Sequence, residues 1–165
     1  MIEHSRRRIR ILGATAHPTT SWVTQAAKNL VMGPEDVACR ARFMIRDRDG
    51  KFPGLFDAVL KDTRIEVVLT GIQMPRTNLI TGRWVQTCRH ELLDRALIWN
   101  QRHLLHVLRE FEQFYNSHRP HQGISNARPL HPLPTPIDDP GKLNDLDIRR
   151  HDRLGDILHE HKHTA

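Results

Sequence analysis

Residues 43–52 read FMIRDRDGKF, a short apolar run followed by a charged turn. The run of Phe43, Met44 and Ile45 predicts a buried β-strand, because consecutive large apolar residues need cover on both faces of a sheet. We expect this strand to present Asp47 and its charged neighbours at its carboxyl end. In α/β folds, ligand binding and chemistry concentrate at that end of the strands.

The segments around this run alternate between strand and helix patterns. Residues 8–15 (RIRILGAT) predict an opening strand, and Thr20 or Ser21 can then cap a helix that Gly33 and Pro34 end. The apolar positions of that helix are Val23, Ala26, Ala27, Leu30 and Val31. A short helix with Phe56, Val59 and Leu60 follows, and residues 65–69 predict another strand because three of the five are β-branched. This order of elements predicts a layered α/β sheet.

The next part of the chain is predicted to be helical. Residues 71–76 form a loop with Pro75, and residues 78–93 predict a helix whose interior contains Gly82. That glycine costs roughly 1 kcal/mol relative to alanine. Residues 101–117 have the clearest amphipathic stripe of the chain, which predicts a helix packed on the core. The stripe consists of Leu104, Val107, Leu108, Phe111, Phe114 and Tyr115.

The sequence HRPHQ at residues 118–122 ends this helix, and proline becomes frequent after it. The prolines are Pro129, Pro132, Pro134, Pro136 and Pro140, which predict an extended linker with the domain ending near Ile137. Residues 154–159 predict a short helix in the tail. The expected organisation is a core at 1–124, a proline-rich linker at 125–141 and a tail at 142–165.

The charge is unevenly distributed along the chain. The formal net charge is +6, yet residues 138–165 hold five basic and seven acidic residues, so the first 137 carry about +8. A basic body favours a phosphate-backbone partner, because each neutralised phosphate releases counterions. A basic protein that needs its charge only for solubility is the equally weighted alternative.

Two cysteines, Cys39 and Cys88, are too few for a disulfide framework or a zinc cluster. We expect both to fill core positions in a reducing cytosol. No apolar run is long enough to cross a bilayer, and the first residues are charged where a signal peptide is apolar. A cytoplasmic, membrane-free protein is therefore expected.

Several strings, taken in order, resemble the integrase core of bacterial insertion-sequence transposases, which are RNase H-like polynucleotidyl transferases. The matching strings are RRIRILGATAHPT, WVTQAAKNL, FMIRDRDGKF, RWVQTCRHELLDR and FYNSHRPHQGI, within residues 1–124. The tail string HDRLGDILHE also resembles the end of some members. The resemblance implies an RNase H-like mixed sheet flanked by helices, and a role in DNA integration and transposition.

The same resemblance implies cleavage and strand transfer by an Asp, Asp, Glu set that holds two Mg²⁺ or Mn²⁺ ions. Such ions, roughly 4 Å apart, bind the attacking and leaving oxygens of one phosphate, and they prefer carboxylate ligands. Asp47 matches the second carboxylate. Asp49 is the alternative, but the alignment of Lys51 and Phe52 favours Asp47 as the catalytic, metal-binding residue.

The two other carboxylates are predicted to be missing. The third belongs on the helix after the loop, where the string NLITGRW has Gly82 in place of glutamate. Glycine has no side chain that can ligate a metal. The resemblance places the first carboxylate on a strand upstream of Met1, so we expect this chain to lack that strand and to leave neighbouring strand edges unpaired. Metal binding by this chain is therefore doubtful.

The resemblance also suggests residues that contact DNA, namely Lys51, Arg83, Arg89, Arg119 and His121. For the arginines on the predicted helix, plain solvation is the alternative. Arg119 and His121 are interpreted first as the structural stop of the long helix and second as a DNA contact. Tryptophans 22, 84 and 99 are expected to pack in or beside the core rather than to stack on bases.

Three functions follow from these patterns. The first is a transposase-derived core that is inactive alone, and the second is a noncatalytic DNA-binding remnant. The third is a remnant that pairs with itself or with an intact transposase through the helix at 104–115 or exposed strand edges. The histidine-rich HEHKH at 159–163 is expected to bind Zn²⁺ or Ni²⁺ only adventitiously, in a mobile tail.

Overall fold

The computed structural model describes residues 1–32, 41–71, 79–133, 136 and 147–164. The chain divides into two compact units. The small unit is Leu12–Gly82, and the large unit combines Met1–Ile11 with Arg83–Ala165. The expected boundaries at 124 and 141 stay predictions.

The small unit is built from two helices and two strands. Helix α1 is Thr20–Val31 and helix α2 is Gly54–Asp62. Strands β1 (Phe43–Arg46) and β2 (Glu66–Leu69) pair in parallel, with Phe43 opposite Glu66 and Arg46 opposite Leu69. The mixed α/β arrangement is confirmed, whereas the RNase H-like strand order stays a prediction.

Helix α1 forms where its apolar spacing predicted it. The Thr19 hydroxyl accepts a hydrogen bond from the Trp22 amide at 3.3 Å, so the cap lies one residue before the predicted position. The buried face, which packs on α2, consists of Val23, Ala26, Ala27 and Leu30. The predicted stop at Gly33 and Pro34 lies outside the described residues, as do Cys39 and most of the loop at 71–76.

Strand β1 is less buried than its apolar run predicted. Phe43 is 54% exposed, and Val68 and Leu69 of β2 are exposed as well. The reason is that each of these strands has only one strand neighbour among the described residues. The prediction of a strand at this position is confirmed, and the prediction that it is buried is wrong.

The predicted opening strand at 8–15 does not form. Residue Ile9 makes an isolated bridge with Ile2, while its N–H donates to the Asn116 side chain at 2.9 Å. The Asn116 amide donates back to the Ile9 carbonyl at 3.0 Å, and Glu112 accepts from the Ile11 amide at 3.0 Å. Side chains of a helix thus satisfy backbone groups that a strand would have paired with another strand.

The large unit is organised around helix α4, Gln101–Ser117, which has its predicted bounds. Asn100 caps it by accepting from the His103 amide at 2.8 Å, and the helix ends at the predicted HRPHQ sequence. Its stripe enters a core cluster of Ile9, Cys88, Leu92, Val107, Phe111, Tyr115 and Leu158. Because this face is buried within the large unit, docking of a partner on the stripe is not supported. Cys88 fills the core as predicted.

Helix α3 covers Leu79–Cys88 and continues as a π-helical turn, Arg89–Leu93. The sequence predicted one regular helix over 78–93, of which residue 78 lies outside the described part. The wider π turn accompanies burial of both Cys88 and Leu92 in the core cluster. Among the helices that the structure describes, none is long and apolar enough to cross a bilayer.

The tail forms a β-hairpin, so the predicted short helix is wrong. Strand β3 (Asp147–Arg153) pairs antiparallel with β4 (Leu158–Thr164), and His151 lies opposite Glu160. The turn has Gly155 at φ +64°. Leu158 and Glu160 point inward while His159 and His161 are more exposed, an alternation of period two that fits a strand.

The beginning of the predicted linker is folded rather than extended. Arg128 and His131 form an antiparallel bridge, and the Leu130 amide donates to the Asn116 carbonyl at 3.0 Å. Ser125 and Asn126 adopt positive φ angles of 56° and 63° just after the 3-10 turn Gln122–Ile124. This segment therefore packs back toward the end of α4.

Candidate functional site

Asp47 lies directly after β1, at the strand's carboxyl end and exposed to solvent. This is the position that the sequence predicted for it. Its Oδ1 accepts from the Asp49 amide at a long 3.5 Å, which is the geometry of a turn-forming carboxylate. The side chain is therefore accessible to a metal ion or another ligand.

The two strand ends beside Asp47 are held together by the Arg48 side chain and a backbone hydrogen bond, and the Arg46 side chain binds α2. The Arg48 Nε donates to the Thr70 carbonyl at 3.1 Å, and the Thr70 amide donates to the Arg46 carbonyl at 2.9 Å. The guanidinium of Arg46 binds both oxygens of Asp57 on α2, at 3.1 and 2.7 Å. Such a bidentate pair fixes α2 against the end of β1.

Asp49 and Lys51 engage each other. The Lys51 Nζ lies 2.7 Å from the Asp49 Oδ2. Hydrogen bonding to Lys51 lowers the pKa of Asp49, and the same contact raises the pKa of Lys51. Asp49 is thus occupied by a cation of the chain, and the charge of Lys51 is partly neutralised for any contact with DNA.

The residues around Asp47 do not fit a two-metal centre. The described residues contain one group of three possible metal ligands whose atoms lie within 4.8 Å of one another, and it consists of Asp152, Asp156 and His159 on the hairpin. Arg150 already ion-pairs with both of those aspartates. Asp47 belongs to no such group within the described part of the chain.

Gly82 lies in α3 on an exposed face. A Cβ built on it meets no atom within 4 Å. A larger side chain would therefore fit here, and packing does not explain the glycine. The helix continues through the position regardless, as predicted.

Arg83 and Arg89 follow on the same helical segment and are exposed. The Arg89 Nε lies 3.6 Å from Asp94, which also contacts the His90 ring at 3.2 Å. Ion pairs of this exposed kind are weak and exchange readily for other partners. Both arginines remain available to a phosphate.

Arg119 and His121 are more involved in packing than the other predicted DNA contacts. Arg119 ion-pairs with Glu91 and lies over the Tyr115 ring, 5.7 Å from its centroid. The His121 ring lies 4.5 Å from the Tyr115 ring, and burial, followed by the charge of Arg119, lowers the pKa of His121. These contacts agree with the structural interpretation of the HRPHQ sequence.

Residues 63–129, less than half of the chain, match the model of one protein family, described as the integrase core domain. Residues 63–129 are thus similar to part of an integrase core domain. No curated protein and no solved structure matches the chain at a significant level.

The integrase core match includes Gly82 and four of the predicted DNA contacts, but it begins after Asp47 and Lys51. Gly82 therefore lies inside the segment that matches the family model. The assignment of Asp47 depends on the resemblance of FMIRDRDGKF and on its place at the end of β1. The structure places Asp47 and Lys51 in the small unit and Arg83, Arg89, Arg119 and His121 in the large unit.

Two features of the integrase core segment and its tail were not predicted. Glu160 is 1% exposed, and it ion-pairs with Arg153 and with the His118 Nε2 at 3.2 Å. Arg153 also contacts Glu110 of α4 at 3.1 Å, so this buried charge cluster fixes the hairpin to the helix. The described part of the tail, residues 147–164, is thus a hairpin fixed to α4, and its mobility stays a prediction. The second feature is Trp99, which is 77% exposed although the sequence predicted that it would pack in or beside the core.

Proposed function

We propose that this chain is a transposase or integrase core protein of the DNA integration class, with an RNase H-like ancestry, that is catalytically inactive alone. The observation that supports this proposal most directly is Gly82, which stands within the integrase core match where the resemblance places the third carboxylate. Catalysis by this class of domain is expected to need divalent metal ions held by three carboxylates.

The chemistry explains why the loss is severe. Two metal ions share the charge of one phosphate during an in-line displacement, and each needs carboxylate ligands on rigid elements. Asp47 offers one such ligand at the end of β1, while Asp49 is held by Lys51. A single exposed carboxylate binds Mg²⁺ weakly, so no attacking water would be activated.

The proposal is tested by incubating the purified protein with Mg²⁺ or Mn²⁺ and labelled duplexes that carry candidate element ends. We expect no cleavage and no joining above the level of a protein-free reaction. The matched variants are Asp47→Ala and Asp62→Ala, which each remove one exposed aspartate of the small unit. Metal-dependent cleavage that Asp47→Ala abolishes and Asp62→Ala preserves would show that the domain is active.

A second candidate is noncatalytic DNA binding, which the exposed arginines of α3 and the π turn favour. Arg83 and Arg89 are two exposed positive charges on one helical segment, and both lie inside the integrase core match. Binding of this kind is dominated by phosphate contacts and therefore falls as salt rises.

The test is fluorescence anisotropy with a labelled duplex over a range of salt concentrations. We expect Arg89→Ala to weaken binding about threefold, with a smaller salt slope, because one phosphate contact is lost. Arg109→Ala removes an exposed arginine of α4 and is the control. Affinity that does not change with salt, or equal losses in both variants, would contradict this candidate.

A further inference from the structure

Arg7 has an unusual backbone conformation in the large unit. Its φ angle is +61°, in the left-handed region that residues with a Cβ seldom adopt. Such a conformation costs free energy and persists only where surrounding contacts enforce it. The bridge between Ile2 and Ile9 closes the turn in which Arg7 lies.

The guanidinium of Arg7 lies against Gly123, in the short turn after the HRPHQ sequence. A Cβ on Gly123 would lie 3.2 Å from both Nε and Nη2 of Arg7, which is shorter than an ordinary van der Waals contact. Glycine at this position therefore makes room for the arginine. Arg7 thus reaches the segment that carries Arg119 and His121.

The charge of Arg7 is not neutralised within the described part of the chain. Its Nη1 is shielded from water and has no hydrogen-bond partner there. Arg119, by contrast, is paired with Glu91. The charges of Arg119 and Arg7 both act on the His121 ring. The cluster therefore holds two guanidinium groups and one carboxylate, which leaves one positive charge in excess.

We propose that Arg7, seated against Gly123 in the segment that also carries Arg119 and His121, forms an anion site that binds one phosphate. The inference rests on the proposed function, because the phosphate is taken to be one of the DNA backbone. A buried guanidinium donor without an acceptor costs free energy, and an incoming phosphate oxygen supplies that acceptor. Because Nη1 is shielded from water, seating the phosphate requires rotation of the guanidinium.

Two variants probe this site in different ways. Arg7→Asn removes the charge but suits the left-handed backbone, since asparagine adopts positive φ more readily than most residues. Gly123→Ala keeps every charge and obstructs the Arg7 side chain. Arg102→Gln removes an exposed arginine of α4 and is the control. Far-ultraviolet circular dichroism and the melting temperature confirm that each variant is folded.

The experiment measures binding of a labelled duplex by anisotropy and, separately, the shift in melting temperature with inorganic phosphate compared with chloride of equal ionic strength. We expect Arg7→Asn and Gly123→Ala to weaken duplex binding about fivefold, and the salt slope of Arg7→Asn to fall by about 0.9, the value for one phosphate. We expect Arg102→Gln to change binding less than twofold.

The outcomes separate this inference from the proposed function. If the unchanged protein binds duplex, equal binding by Arg7→Asn would overturn the site. If the unchanged protein binds no duplex, yet phosphate stabilises it and Arg7→Asn removes that effect, the anion site stands with free phosphate as its ligand and the DNA-binding proposal falls. No Arg7-dependent effect of either ligand would overturn the site as well.

Discussion

The two compact units differ in how completely they bury their elements. In the large unit, α4 is covered along its stripe, and Asn116 and Glu160 form buried polar contacts that tie distant segments to it. In the small unit, the two parallel strands leave Phe43, Val68 and Leu69 exposed. The predicted catalytic Asp47 lies in the small unit, and Arg7, which has no ion-pair partner among the described residues, lies in the large unit. The large unit therefore supports the proposed anion site at Arg7 more rigidly than the small unit supports Asp47.

The largest expected effect compares one core residue from each unit. Phe111 and Leu60 are both fully buried. We expect Phe111→Ala to reduce the free energy of unfolding by about 4 kcal/mol and Leu60→Ala by about 2 kcal/mol. The difference arises partly because phenylalanine is the larger side chain, and partly because the residues around Leu60 in the small unit can relax into the cavity more easily. Urea denaturation with hydrogen exchange measures both, and a larger loss for Leu60→Ala would contradict the comparison.

The next effect concerns the polar contacts of the large unit. Asn116→Ala removes both hydrogen bonds to the Ile9 backbone and leaves two buried groups without partners. We expect a loss of about 3 kcal/mol in the free energy of unfolding, with faster exchange of the Ile9 amide. Glu112→Gln keeps an oxygen acceptor for Ile11 and is the control, with a loss below about 1 kcal/mol. Equal losses would show that the Asn116 contacts add little.

These contacts also show where prediction from the sequence reaches its limit. Local periodicity predicted α1, α4 and the strand before Asp47, because each depends on residues near one another in the chain. The prediction of a strand at residues 8–15 was wrong because the hydrogen-bond partners of this backbone lie on α4, far along the sequence. The hairpin was not predicted because the burial of Glu160 on its second strand depends on ion pairs with Arg153 and with the distant His118.

The candidate site divides in the same way. Asp47 was predicted at the end of a strand and Gly82 in a helix, since both are local features. Arg7 was not predicted, because Arg6, Arg7 and Arg8 are identical in the sequence and only the fold distinguishes the one that contacts Gly123. The long-range ion pair of Arg119 with Glu91 was likewise not predictable from its motif.

A smaller effect is expected for Gly82 itself. Because its Cβ position is open and α3 continues through it, Gly82→Ala should raise the free energy of unfolding by about 0.5–1 kcal/mol. Gly50→Ala, in a turn that is equally open, shows how much of the gain comes from the unfolded chain alone. Thermal denaturation measures both. No gain for Gly82→Ala would indicate that the glycine is required where it stands.

The smallest effect is a pH dependence at His121, where half-burial leaves water to screen part of the penalty. Burial and then Arg119 lower the pKa of this ring in the folded protein below the ordinary value of 6.5. The unfolded chain therefore takes up a proton first as the pH falls, so stability present at pH 7.5 is lost below about pH 6.5 until the folded pKa is passed. We expect His121→Gln to have a flatter stability profile between pH 7.5 and 5.5 than the unchanged protein. The two profiles, measured by urea denaturation, should differ in slope, because the two proteins differ only at His121. Parallel profiles would mean that His121 has the same proton affinity folded and unfolded.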